Sequence, residues 1–339
     1  TTEEMYEEFN YLPEDLANEL IVETPNKIAA QIDGDLRPFP EGNYPPIIES
    51  APDDVKALVK ESGTRLYGRN ETNDGPGEIL PKIVQDRVDR ELSSIIENGF
   101  AIMYYIAHLL VKKSNEDGYI VGSRGSVGSS LIATFCGITE VNPLPPHYRC
   151  PVCHYSEFDE SGTYGSGFDL PEKSCPECGE LFVRDGQDIP FETFLGFHGD
   201  KQPDIDLNFS GEYQARAHEY TRELFGEDYT YKAGTITTYA EKNALQMARG
   251  YLERRDKMER FVEQRRLASG VDGVKSSTGQ RPGGIVVIPT DREIYDFTPI
   301  QYPANDETAS MYTTHFDFHA LDETILKLDI LGHVDPTML

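Results

Sequence analysis

Apolar and polar positions divide the chain into helical and extended stretches. Residues 1–20 are acidic and read as helical, and residues 33–49, rich in Pro and Gly, read as extended. Residues 51–67 predict a helix, with Ser50 as N-cap and Asp53 and Asp54 near its positive end. Residues 70–76 are a loop of turn formers, and 79–113 repeat apolar residues at helical spacing, which predicts two helices covering a sheet. Residues 118–121 predict a short strand, 122–130 a Gly- and Ser-rich turn, and 131–135 an apolar helix start. On a strand at 203–209, Ile205 and Leu207 face the core. An amphipathic helix near 212–225, a connection and a helical region ending about Gly279 follow. Gly283 and Gly284 open a strand over 283–289, and permit close backbone approach to either a neighbouring strand or a nucleic acid. In a last strand, 325–332, Leu326, Leu328 and Ile330 share one face, and Ile325, Lys327 and Asp329 the other.

The first candidate chemistry lies on the 203–209 strand. Asp204 and Asp206 project from the same face, where like charges repel and push one carboxyl towards protonation. A divalent cation removes the conflict, and hard oxygen ligands suit Mg²⁺. The same pattern also fits an edge strand with both Asp in solvent. Asp329, sharing a face with Lys327, supplies a third carboxylate, in a pattern that equally fits a half-exposed antiparallel strand. Upstream, Gly122, Ser123, Arg124, Gly125 and Ser126 form a strand–turn–helix start that can cradle phosphate. It has neither the P-loop nor the dinucleotide spacing, and a flexible linker is the competing reading. A Gly-Ser loop, an Asp-x-Asp strand and a distant third Asp is the order used by nucleotidyltransferases. There, three carboxylates hold two cations roughly 3.5–4 Å apart.

Composition adds a conflict and a second metal. The 339 residues carry a net charge of −28, against the gain in affinity that Lys and Arg give a binder of nucleic-acid phosphates. The one basic stretch, 242–266, contains Arg249, Arg254, Arg255, Lys257, Arg260, Arg265 and Arg266, and reads either as a nucleic-acid face or as a helix laced with ion pairs. Cys150-x-x-Cys153 and Cys175-x-x-Cys178, 21 residues apart, have the spacing of a four-thiolate zinc site. Two disulfides are the alternative, disfavoured in a reducing compartment. His154 is expected to be a bystander and Cys136 a buried small hydrophobe. No apolar run approaches the length of a membrane helix, and no signal or transit peptide opens the chain.

Several long runs resemble the catalytic subunits of bacterial replicative DNA polymerases of the C-family, most closely the Gram-positive type. They are Gly122–Ser126, Asn142-Pro-Leu-Pro-Pro-His-Tyr148, Pro190-Phe-Glu-Thr-Phe-Leu-Gly196, Pro203-Asp-Ile-Asp-Leu-Asn-Phe-Ser210, Tyr295-Asp-Phe-Thr-Pro-Ile-Gln-Tyr-Pro303 and Leu326-Lys-Leu-Asp-Ile-Leu-Gly-His333. The resemblance implies an α+β fold: a mixed-sheet, polymerase-β-like nucleotidyltransferase palm with a helical thumb insertion and a four-Cys zinc module. It implies a leading segment (1–75), palm (76–147, 189–235 and 281–339), zinc insert (148–188) and thumb (236–280). Asp204, Asp206 and Asp329 then correspond to the catalytic ligands of two Mg²⁺, and residues 122–126 to the loop for the incoming dNTP. Lys327, Arg249, Arg254 and Arg255 become candidate DNA contacts. The implied partners are primer–template DNA and, in the full-length enzyme, the sliding clamp and replisome proteins; the implied location is the cytoplasm.

Two positions depart from the family pattern: Arg281 stands where a His is usual, and Val334 where an Asp is usual. Relatives are several times longer, and no exonuclease, OB-fold or fingers segment is found, so a palm-plus-thumb portion is expected. By itself such a portion reads alternatively as a non-catalytic metal- and DNA-binding scaffold. A template-independent nucleotidyltransferase with the same palm is a further alternative.

Overall fold

The computed structural model describes residues 1–34, 40, 42–72, 74–196, 205–302, 306–321 and 324–338. It divides into two compact units, residues 1–41 and 42–339. The first unit is helical: α1 (Thr2–Glu8), α2 (Glu14–Asn18) and α3 (Thr24–Ala29), with a π turn at Glu19–Glu23 between the last two. Pro25 explains the turn, since it cannot donate to the preceding turn of helix and the ladder widens to pass it. Thr1 and Glu4 form a reciprocal capping box on α1.

The second unit begins with α4 (Ala51–Tyr67), as the sequence predicts. Ser50 sits at its N-cap position, but its carbonyl rather than its side chain accepts the Asp53 and Asp54 N–H groups. The two helices predicted within 79–113 are α5 (Lys82–Glu97) and α6 (Ala101–Glu116). The strand placed at 118–121 falls later: β1 is Gly122–Arg124, taking in the first third of the predicted turn. A 3₁₀ turn (Gly125–Ser129) and α7 (Leu131–Phe135) follow. Next come β2 (His147–Arg149), β3 (Ser156–Phe158), β4 (Val183–Asp185), α8 (Glu192–Leu195), β5 (Asp206–Ser210), α9 (Gln214–Phe225) and β6 (Thr230–Thr238). Then follow α10 (Glu241–Glu253), α11 (Phe261–Ser269), β7 (Lys275–Val287), β8 (Ile300–Gln301), β9 (Thr313–Asp317), β10 (Leu326–His333) and α12 (Asp335–Met338).

Seven strands form one mixed sheet in the order β1-β5-β10-β7-β6-β9-β8, with β5–β10 and β6–β9 parallel and the other pairs antiparallel. One face carries Leu207, Phe209, Ile285, Val287, Leu326 and Ile330 into the main core, shared with α4 to α7 and α9. Val88, Ile95, Ile106 and Leu110 are nearly solvent-free there, so burial of one apolar stripe per helix holds the layer. On the other face Tyr231, Ala233, Val286 and Ile325 pack on Phe297, Phe318 and Leu321. Where the sequence reads as a connection and then a helical region ending about Gly279, the structure has a long β6–β7 hairpin carrying the helices α10 and α11 at its end. The strand predicted at 283–289 begins eight residues earlier, at Lys275. A thin alanine core of Ala244, Ala248 and Ala268 joins the two helices. A separate three-stranded sheet, β3-β2-β4, surrounds the cysteines.

Candidate active site and metal centre

The sheet register builds the site. Asp206 and Asp329 are directly opposed on the parallel pair β5–β10, and Arg124 opposes Asp206 on β1. Opposed residues project to the same face, so two carboxylates and a guanidinium stand in one row. Leu207 and Ile205 point to the core face, as predicted. Asp204 lies outside the described residues. Arg124 is exposed and makes no ion pair with the described residues. Ser123 opposes Leu207 on the other face, where its hydroxyl donates to Thr139 Oγ1 at 2.7 Å. Of the five loop residues, Gly122 and Arg124 therefore share the face of Asp206, while Gly125 and Ser126 form the following turn.

A bulge completes the row. Between the pairs Lys232–Ile285 and Gly234–Gln280, Ala233 alone faces Arg281, Pro282, Gly283 and Gly284. Pro282 offers no N–H to a ladder and is accommodated at this break. The two glycines answer the question that the sequence leaves open, because neighbouring strands press on them. A Cβ at Gly283 would stand 2.8 Å from Ile330 O, and one at Gly284 2.8 Å from Ala233 Cβ. From the bulge Arg281 reaches Asp329, its Nε donating to Oδ1 at 3.0 Å and its Nη2 to Oδ2 at 2.8 Å. Phe318 stacks below both cations of this face, 4.3 Å from Arg281 and 3.8 Å from Lys327.

A buried ion pair that sequence reading missed fixes the loop from behind. Glu91 on α5 is fully buried and pairs with Arg87. Its Oε2 accepts from Ser130 Oγ at 2.9 Å and from Ile132 N at 3.1 Å. Arg87 donates to Ser129 O at 2.7 Å and Ile189 O at 3.0 Å. Ser130 also caps α7 through Ala133 N and accepts from Tyr104. Burial pushes the Glu91 carboxyl up and Arg87 pulls it back. The only signal in the sequence is a Glu four residues after an Arg, at a position where helical periodicity demands an apolar residue.

The cations of the basic stretch are exposed, and two of them form ion pairs with described residues. Arg265 pairs with Glu241, Arg266 with Glu263, and Arg249 bonds Gln264, while Arg255 lies over Tyr251. Arg254 instead lines a cavity of about 690 Å³ with Tyr239, Met247 and Tyr251.

Cys150, Cys153, Cys175 and Cys178 converge, all four sulfurs lying within 4.8 Å of one another. The Cys150–Cys178 and Cys153–Cys175 separations are 3.3 and 3.6 Å. These are too long for disulfide bonds and close to the ~3.8 Å edge of a tetrahedron with ~2.3 Å Zn–S bonds. The residues thus fit zinc and exclude the disulfide alternative. At Cys150 the upward push of burial is outweighed by N–H donors of Cys153 and Val152, which bring the thiol to about 7. Burial pushes Cys153 up to about 12. His154 is turned away and its Nδ1 contacts Gly68 O at 2.9 Å, while Arg69 pairs with Glu177 inside the second knuckle at 2.6 Å. Cys136, apart from the cluster, is a buried thiol raised to about 12.

Comparison with known proteins identifies the family of the chain. A family model described as the bacterial DNA polymerase III alpha NTPase domain matches residues 55–264 and 247–332. "DNA polymerase III PolC-type" of Caldanaerobacter subterraneus subsp. tengcongensis is 55% identical over 339 residues, 100% of this chain and 24% of the relative. The protein of the same name from Thermotoga petrophila is 54% identical over 341 residues, with 24% of its length covered. That from Staphylococcus aureus is 55% identical over 339 residues, with 23% covered. The chain spans about a quarter of the length of these curated relatives, covering 24% of the first. By the extent of the family match and this identity along its whole length, the chain belongs to the bacterial DNA polymerase III alpha family.

Proposed function

We propose that this chain carries the nucleotidyl-transfer centre of a replicative, DNA-directed DNA polymerase, in a polymerase-β-like palm with α10 and α11 as its thumb. The observation that carries the reading is the row Arg124, Asp206, Asp329 across three adjacent strands. Asp206 and Asp329, with Asp204, would hold two Mg²⁺, since hard carboxylate oxygens suit that ion. When bound, the ions would lower the pKa of the primer 3′-hydroxyl and neutralise the triphosphate and its pyrophosphate leaving group. Arg124 and the turn after it would orient the triphosphate. Glu91 and Arg87 hold that turn without touching substrate. The zinc module is structural in this reading. The substrates are dNTP and primer–template DNA.

Asp206→Asn in the full-length polymerase tests the reading. It is expected to reduce primer extension about a thousandfold or more with the melting temperature unchanged. Retained extension would refute the metal role. For this segment by itself, the engagement of both Asp329 oxygens by Arg281 favours a second reading, a non-catalytic scaffold. Extension of a primer by the segment alone would overturn that one.

A further inference from the structure

The contact that most directly concerns the proposed metal site is made by the protein to itself. Arg281 engages both oxygens of Asp329 through one planar fork, at 3.0 and 2.8 Å. The pair is sheltered, with Asp329 13% and Arg281 33% exposed. The backbone aims this fork. The four-residue bulge brings Arg281 over β10, and Gln214 of α9 ties the bulge down by donating to Pro282 O at 3.2 Å and Ile330 O at 2.9 Å. Phe318, buried and 4.3 Å away, gives the guanidinium an aromatic surface beside the carboxylate.

We propose that Arg281 is a built-in occupant of the cation position on Asp329. Without metal, its guanidinium neutralises the carboxylate, and a divalent cation loads onto Asp329 only as Arg281 withdraws along the face of Phe318. The inference rests on reading Asp206 and Asp329 as cation ligands. Its physical basis is competition: a bidentate guanidinium takes the inward lone pairs of both oxygens, and a doubly charged ion beside it is repelled. Apparent metal affinity then falls by the fraction of molecules in which the carboxylate is open. The device keeps a like-charged pair on adjacent strands neutralised before substrate arrives, and makes metal loading a switch rather than a simple occupancy.

The test is Mn²⁺ binding by this chain, measured by calorimetry for wild type, Arg281→Gln, Arg281→Lys and Asp329→Asn. Arg281→Gln is expected to bind about tenfold tighter and Arg281→Lys about threefold, since a lysine keeps the charge but loses the fork. Asp329→Asn should abolish the dependence. Asp329-dependent binding that is no tighter in Arg281→Gln would overturn the competition. Tightening in Arg281→Gln but none in Arg281→Lys would reduce the effect to net charge and overturn the bidentate lock. No Asp329-dependent binding in any of the proteins would instead remove the metal reading underneath it. Wild type provides a check independent of folding in the variants. Titration with Mg²⁺ should accelerate solvent exchange of the Arg281 Nε–H resonance, and unchanged exchange at saturation of an Asp329-dependent site would overturn the proposal.

Discussion

Replacing Glu91 by Gln removes one charge and adds no bulk, yet the structure makes it a severe change. Every neighbour of the carboxylate is a donor. Oε1 faces Arg87, and Oε2 faces Ser130 Oγ and the Ile132 N–H. A Gln amide has one oxygen to offer. Turned to Arg87, it sets its NH₂ against the Ile132 N–H and against Ser130 Oγ, which already accepts from Tyr104 and Ala133. Turned the other way, it sets the NH₂ against a guanidinium that is only 15% exposed. Both orientations leave a buried donor unsatisfied and Arg87 without its counter-charge. Breaking a buried pair from one side costs about 3–5 kcal/mol, a large part of the ~5–15 kcal/mol that holds a typical domain together. Urea unfolding in zinc-replete buffer, followed by circular dichroism, measures the loss; the chain has no Trp, so its 19 Tyr supply a second optical signal. The Ile132 amide should also lose hydrogen-exchange protection, because α7 starts on this carboxylate. A loss below about 1 kcal/mol with Ile132 protection unchanged would refute the reasoning.

Three further outcomes follow from other parts of the molecule. Chelation of zinc, or Cys175→Ser, should open residues 148–188 to protease, since metal contributes on the order of 10 kcal/mol to such modules; unchanged resistance would count against a stapled module. Gly283→Ala places a Cβ 2.8 Å from the backbone oxygen of Ile330, whereas Gly332→Ala meets only the Gln214 side chain at 2.7 Å. The first should cost about 1–3 kcal/mol and the second under about 1, measured as melting temperatures, and an inverted order would refute the bulge geometry. His218 is held down to about 4 by burial and by Lys232, which donates to its Nδ1. The unfolded chain therefore takes up a proton between its ordinary value of 6.5 and about 4 that the folded chain refuses, and stability falls as pH drops through that window. The loss amounts to about 3 kcal/mol, and His218→Gln should remove that part of the pH profile in melting experiments.

The parts of the fold written in local patterns were legible. Residues 51–67 and the helices within 79–113 follow 3.6-residue periodicity, and the cysteine knuckles declare their geometry through spacing alone. What escaped was set by long-range partners. The strand at 118–121 was displaced because β1 exists only through pairing with β5, which begins its ladder at Gly122. Residues 275–280 looked like part of a helical region because Ser, Thr and Gly there are polar on both faces, and only pairing with β6 makes them a strand. In the site, the facing of Asp206 and Asp329 was readable from alternation. Their adjacency, the service of Glu91 and the reach of Arg281 were not, because each depends on which distant segment the sheet brings alongside.

The parallel pairing of β5 with β10 has a consequence in time. No local turn can join parallel strands, and the chain between these two must first lay down α9, the β6–β7 hairpin with its helices, and β9. Closing so long an excursion is slow compared with forming hairpins and helices. During synthesis Asp206 leaves the ribosome well before Asp329, so the nascent chain holds only one of these two opposed carboxylates until the sheet is nearly finished. On the reading proposed above, the carboxylate row would thus be completed late in folding, and its completion would mark the moment at which this segment has reached its native topology.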